Sequence, residues 1–218
     1  MCFSNSRPNG RRRREKGGAI FEFLVCAAFI WIPLFFGASQ YGLALIQAIR
    51  TSETCRDTGR MFAYGIDFSQ TGNKYLLASM APALNIDPTG AGGSGVVILS
   101  EVQYVTTAQC QAGGYSNTCP NNGQLVFIRQ IIIGNSAIRA SAFGTPPVDS
   151  TGTVVQGSPS TNGYLNEASA LVTGYPNITL SSGTSGQQYG YICEVYATSA
   201  GLNWFARSNN WVSDQSFF

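Results

Sequence analysis

Residues Ala19 to Phe36 read AIFEFLVCAAFIWIPLFF, an apolar run with one charge, Glu22. Its length is near the lower limit for a helix that crosses a bilayer. The apolar character continues through GASQYGLALIQAI, residues 37 to 49, so the whole reads as one helix of about thirty residues. Ahead of it stand Arg7, Arg11, Arg12, Arg13, Arg14 and Lys16, with only Glu15 against them. A basic flank on one side of a span predicts a cytoplasmic N-terminal side and an exported remainder. A cleaved secretory signal has the same basic start, but it ends at a small-residue cleavage site where this run stays apolar.

Six of the 13 Lys and Arg residues and one of the 11 Asp and Glu residues precede Gly17, which leaves seven basic against ten acidic side chains. The exported part therefore lacks the positive surface that nucleic acid requires, and no nucleic-acid partner is expected. With 218 residues, 25 glycines and short Val/Ile-rich runs, the chain suits an anchor plus one folded domain with long polar loops. It has no histidine, which removes the Ser-His-Asp triad, the Cys-His pair and the histidine metal site. Glu101, Asp149, Glu167 and Glu194 are scattered, with no motif setting two across a cleft, and no GxxxxGK[ST] loop is present. These features point away from an enzyme and imply no cofactor.

A carboxylate at the centre of a membrane helix costs about 2.5–3.5 kcal/mol on insertion scales, so Glu22 calls for a partner. In RRRREKGGAIFEF, Glu22 falls five residues after Gly17. This segment resembles the start of type IV pilin-like precursors, in which a membrane prepilin peptidase cuts after a glycine and the fifth residue of the mature chain is glutamate. The resemblance implies processing between Gly17 and Gly18, giving a mature chain that begins Gly18-Ala19-Ile20-Phe21-Glu22-Phe23. It also implies an assembly role for Glu22, with Phe23 beside it. On stacking, the carboxylate meets the new α-amino group of a neighbouring subunit, and two buried charges neutralise each other. The alternative is an uncut anchor in which Glu22 reaches water at the cytoplasmic interface.

Further on, FFGASQYGLALIQAIRTSETCRDTGRMFAYG resembles the TadE-like family of the tight-adherence pilus machinery, at Gly37, Tyr41, Gly42, Arg56, Asp57, Gly59 and Arg60. The resemblance covers residues 11 to 65, with a weaker echo in YGYICEVYATSAGLNWF. The chain departs from the family pattern at Pro33, at Gln40 and in the extra residue between Asp57 and Gly59. The resemblance implies a minor pseudopilin of a bacterial inner membrane, built into or starting a tight-adherence pilus or related secretion fibre. Its partners would be the prepilin peptidase, other pilins or pseudopilins and the assembly platform. A different class of function is an uncleaved single-span binding protein or adhesin that does not polymerise.

Beyond the span, Leu45, Ala48, Ile49, Ser52, Cys55, Gly59 and Phe62 recur at three- and four-residue steps, an amphipathic helix with a small-residue face that stops at Gly65. A short helix is expected from Lys74 to Leu84, ahead of Pro88. GVVILSEVQYVT from Gly95, QLVFIRQIIIG from Gln124 and QYGYICEVY from Gln188 read as strands, and Ile138 to Phe143 as a weaker one. In the third, Tyr189, Tyr191, Cys193 and Val195 share a face, expected to pack on the amphipathic helix. The result is an α+β chain, with a long N-terminal transmembrane and amphipathic helix on a small antiparallel sheet, the general plan of pilin-like proteins. It divides into a basic leader (1–17), the helix (18–65) and the exported domain (66–218).

Of the six cysteines, Cys2 lies in the leader, Cys26 in the span and four on the exported side, where disulfides persist. Cys110 and Cys119 flank the connection between two strands and are expected to pair. Cys55 and Cys193 then either pair, joining helix to sheet, or stay as two buried thiols. With no histidine and no CxxC spacing, a metal is not expected. Residues 144 to 187, dominated by Gly, Ser, Thr, Asn and Pro around a short helix near Leu165 to Val172, read as a solvated excursion, with a variable contact surface as the second reading. Asn177-Ile178-Thr179 matches a glycosylation sequon. Trp204, Phe205, Trp211, Phe217 and Phe218 read as core or edge packing.

Overall fold

A computed structural model describes residues 16–155, 163–174, 189–198 and 211–218. It divides into two compact units, Met1–Leu43 and Ala44–Phe218. Helix α1 (Lys16–Ala63) contributes to both, so the break between the units falls inside the helix. The reason is the change in what α1 touches. From Ile20 to Leu43 its large apolar side chains are exposed, whereas Thr51, Cys55, Thr58 and Phe62 are buried. The segment that starts at Ile20 is long and apolar enough to cross a membrane.

α1 ends where expected, through a Schellman turn. The Gly65 N–H bonds the Phe62 carbonyl at 2.9 Å and the Ile66 N–H bonds the Met61 carbonyl at 3.0 Å. Gly65 supplies the φ of +87° that the turn requires. Helix α2 (Thr71–Met80) starts three residues before the expected Lys74, and a 3-10 turn (Pro82–Leu84) replaces its expected last turn. Pro82 lacks the N–H needed to continue the helical ladder.

Four antiparallel strands form one sheet in the order β2-β1-β3-β4: β1 (Gly95–Tyr104), β2 (Leu125–Gly134), β3 (Tyr189–Thr198) and β4 (Trp211–Phe217). The α+β architecture is the one read from the sequence. β1 pairs Leu99 with Ile131 on one side and Cys193 on the other, which makes it a central strand, buried on both faces. The face formed by Val97, Leu99, Ile131, Ile133, Cys193 and Val195 packs on Cys55 and Phe62 of α1, with Leu77 and Leu84 closing the same core. Of the shared face expected for Tyr189, Tyr191, Cys193 and Val195, the last three are against the helix, whereas Tyr189 is exposed.

The opposite face is covered by residues of the 144–187 stretch, read from the sequence as a solvated excursion with a short helix, together with Phe143 from the end of the expected weaker strand. Phe143, Val148, Val154, Ala170 and Val172 pack on Val102, Phe127 and Ile192. The buried Gln130 amide ties this cover to the sheet, donating to the Ser100 hydroxyl at 3.2 Å and the Gly144 carbonyl at 3.1 Å. Ile138 to Phe143 is not a strand. The Ala142 N–H goes to the Glu194 carboxylate instead of a ladder. In place of one helix near Leu165 to Val172 there are two 3-10 turns, Gly163–Leu165 and Ala168–Ala170. Asn177, Trp204 and Phe205 lie outside the described residues.

Candidate functional site

Gly17 and Gly18 stand in the first turn of α1 and Glu22 in the second. Glu22 and Phe23 are exposed, Phe23 at 73%. Around them Ile20, Phe21, Leu24 and Val25 are exposed as well, so the acid sits in an apolar surface. Among the described residues Glu22 makes no ion pair; the pair present is Arg129 with Asp67. Gly18 and Glu22 are four residues apart and so share a helix face. Pro33 sits inside α1, where its missing N–H leaves one upstream carbonyl without its helical partner.

The second half of α1 is held along β3. The Gln47 amide donates to the Thr198 carbonyl at 3.1 Å, the Cys55 thiol to the Cys193 carbonyl at 3.0 Å, and Phe62 meets Tyr191 edge to face at 5.5 Å. From Gln47 to Phe62 a helix rises about 22 Å, and from Thr198 to Tyr191 a strand covers about 23 Å, so the two elements stay in step over the seam. Gly59 is buried under the Phe218 ring: a Cβ there would lie 2.2 Å from it. Small residues on this face let helix and sheet approach. Leu45 (63% exposed) and Ile49 (49% exposed), expected on the buried face, lie off it, and Gln47, Thr51 and Thr58 take the inward positions.

Cys110 and Cys119 form a disulfide, as expected from the sequence. Cys110 lies in helix α3 (Thr107–Ala112), whose start is a capping box: the Thr106 hydroxyl accepts from the Gln109 N–H and the Gln109 side chain accepts from the Thr106 N–H. The Cys55–Cys193 bond weighed as one alternative is not formed. Both residues are buried free thiols, as is chemically comfortable for cysteine in an apolar core.

No family model, no curated protein and no solved structure matches the chain. The residues themselves carry the functional argument.

Two polar clusters were not read from the sequence. Beyond the end of α1, Arg129 of β2 bonds Asp67 and the Thr151 carbonyl, and its register partner on β1 is Glu101. Burial pushes the Glu101 carboxyl up, partly offset by the Arg129 charge. Tyr191, the partner of Glu101 on β3, is pushed up by burial and by that carboxylate. On the opposite face Glu194 is fully buried and accepts from the Ser141 hydroxyl, the Ala142 N–H at 2.8 Å and the Tyr196 hydroxyl at 2.7 Å. Burial, then the Glu194 bond, push the Tyr196 phenol up to about 12, and Arg139 lies over its ring at 5.0 Å. Alternation along the strands places Glu194 opposite the helix side, a signal available in the sequence.

Two small clefts lie among the described residues. A cleft between α1 and the turn after α2, lined by Arg50, Glu53, Asp57 and Met80, holds about 100 Å³. Another beside Lys74, Gln130 and Asp149 holds about 210 Å³. Small-molecule sites usually measure about 300–1,000 Å³. Among the described residues no three Cys, Asp or Glu side chains gather in a way that would hold a metal.

Proposed function

We propose that this chain is a non-enzymatic minor pseudopilin of the TadE-like kind, anchored in a bacterial inner membrane and built into, or starting, a tight-adherence pilus or related secretion fibre. The observation that carries the reading is Glu22: an acid exposed on an apolar helix, five residues after Gly17 and just behind a basic cluster. In lipid such a carboxylate is costly, and the α-amino group released by cleavage after Gly17 supplies the opposite charge on a neighbouring subunit. The arginines hold the leader in the cytoplasm, and residues 44–218 are exported. The Cys110–Cys119 disulfide supports export, because such bonds persist in oxidising compartments. The partners in this reading are the prepilin peptidase, other pilins or pseudopilins and the assembly platform.

N-terminal sequencing of the membrane-derived protein tests the processing step, with a start at Gly18 as the expected result. Replacing Gly17 should leave the full-length precursor. Glu22→Ala should insert into the membrane normally, since it removes a charge, but should enter fibres at a small fraction of the wild-type level. Normal incorporation of Glu22→Ala would sink the pairing mechanism. An uncut N-terminus in cells with active peptidase would leave a single-span binding protein.

A further inference from the structure

Cys55 of α1 and Cys193 of β3 are 138 residues apart in sequence and both fully buried. The Cys55 Sγ donates to the Cys193 carbonyl at 3.0 Å, so the helix thiol lies directly against the strand residue that carries the second thiol. Only the docking of α1 on the sheet brings them together. No third metal-binding side chain joins them among the described residues. In the same domain Cys110 and Cys119 are already joined. An oxidant that closes one exported pair has access to the other while the chain is still folding.

We propose that Cys55 and Cys193 are a second disulfide-forming pair, whose closure staples the exported half of α1 to the centre of the sheet. The oxidant is a protein dithiol-disulfide oxidase of the exported compartment. One cysteine thiolate attacks the oxidase disulfide and forms a mixed disulfide; the second thiolate then displaces the oxidase sulfur. One S–S bond replaces two S–H bonds, and the two electrons and two protons leave on the oxidase as its dithiol. Burial, reinforced by the Cys55 side chain, raises the Cys193 thiol well above its ordinary value, so once α1 is docked Cys193 is a poor nucleophile. Oxidation therefore belongs to the interval before α1 settles on β3. Once closed, the bond keeps Phe62 and Thr58 seated, because the helix cannot lift away without breaking it.

The inference rests on the export step of the proposed function and not on polymerisation. The test uses the full chain carrying Cys2→Ser and Cys26→Ser, which leaves Cys55, Cys110, Cys119 and Cys193. Cells are acid-quenched, the protein is denatured, and free thiols are tagged with a maleimide polymer before and after reduction. The expected result is no tag before reduction and four after, with a non-reduced digest containing a peptide that joins Cys55 to Cys193. Adding Cys193→Ser should expose one thiol to the tag, from Cys55. Two tags before reduction, with Cys110–Cys119 closed, would overturn the second disulfide and leave export standing. Four tags would remove export and the inference together. A linkage of Cys55 to Cys110 or Cys119 would also overturn it.

Discussion

The carboxylate of Asp67 is held by the Ser69 N–H at 3.0 Å, the Ser69 hydroxyl at 2.9 Å and the Arg129 guanidinium. Burial pushes its carboxyl up, but the Ser69 bonds and then Arg129 outweigh that and hold it at about 2, below the ordinary 3.8. A folded value below the unfolded one means that the contribution is fully present above the unfolded value and is lost as pH falls toward the folded one. Because the Asp67 side chain is 39% exposed, solvent screens the pair and its share of stability is less than about 1 kcal/mol. Asp67→Asn should therefore melt slightly lower than wild type at neutral pH. The gap should shrink between pH 3.8 and about 2 and vanish below that. Thermal unfolding in detergent across this window checks it; a gap that is constant with pH would assign the loss to packing instead. Glu194 belongs to the same scale but to another logic. It is buried with three donors aimed at it, so it organises the Ser141–Phe143 segment over the sheet.

Between α1 and the sheet the decisive position is Gly59, where an added Cβ would fall 2.2 Å from the Phe218 ring. Alanine is the better helix former by about 1 kcal/mol, so the sign of Gly59→Ala depends on whether that ring can move away. Gly59→Ala in a Phe218→Ala background should stabilise by about 1 kcal/mol, while in the wild type the overpacking should cancel or reverse the gain. The coupling in a double-mutant cycle, measured by denaturant unfolding, is expected at about 1–3 kcal/mol; simple additivity would mean that the close approach is not energetically felt. This seam was largely legible in advance. Cys55, Gly59 and Phe62 follow helical spacing, and Tyr191, Cys193 and Val195 follow the period of two, so both sides of the contact announce themselves. Leu45 and Ile49 fit the same helical spacing and yet lie outside, because periodicity reports an apolar stripe and not what covers it. The cover of the opposite sheet face was illegible for another reason. Phe143, Val148, Val154, Ala170 and Val172 are separated by glycines, prolines and polar residues at irregular intervals, and only the fold gathers them. β4 was hidden too: the polar run Ser213-Asp214-Gln215-Ser216 masks a strand whose backbone pairs with β3. The start of α3 could have been found from Thr106 and Gln109 at capping-box spacing.

For the chain as a whole, the division at Leu43 and Ala44 places the inward-facing residues of α1, from Gln47 to Phe62, in the same compact unit as the sheet. The helix then contributes two different things, an apolar stretch with exposed side chains to one unit and one wall of a core to the other. A fragment beginning at Ala44 keeps the Gln47–Thr198 bond, the buried Cys55 and the Phe62–Tyr191 contact, and it drops the run of large apolar side chains that are exposed from Ile20 to Leu43. It should fold, with the Cys110–Cys119 bond formed and one cooperative thermal transition. A fragment beginning at Tyr64 loses that wall and bares Leu99, Cys193 and Val195 to water. Burying Phe62 alone is worth about 1.5–3 kcal/mol, against a total domain stability of about 5–15 kcal/mol, and Cys55 and the helix backbone go with it. The shorter fragment should therefore aggregate or melt without a sharp transition. Near-ultraviolet circular dichroism and gel filtration of the two fragments separate the outcomes. Equal, cooperative folding of both would mean that the sheet needs no helix, and that α1 is an anchor from end to end.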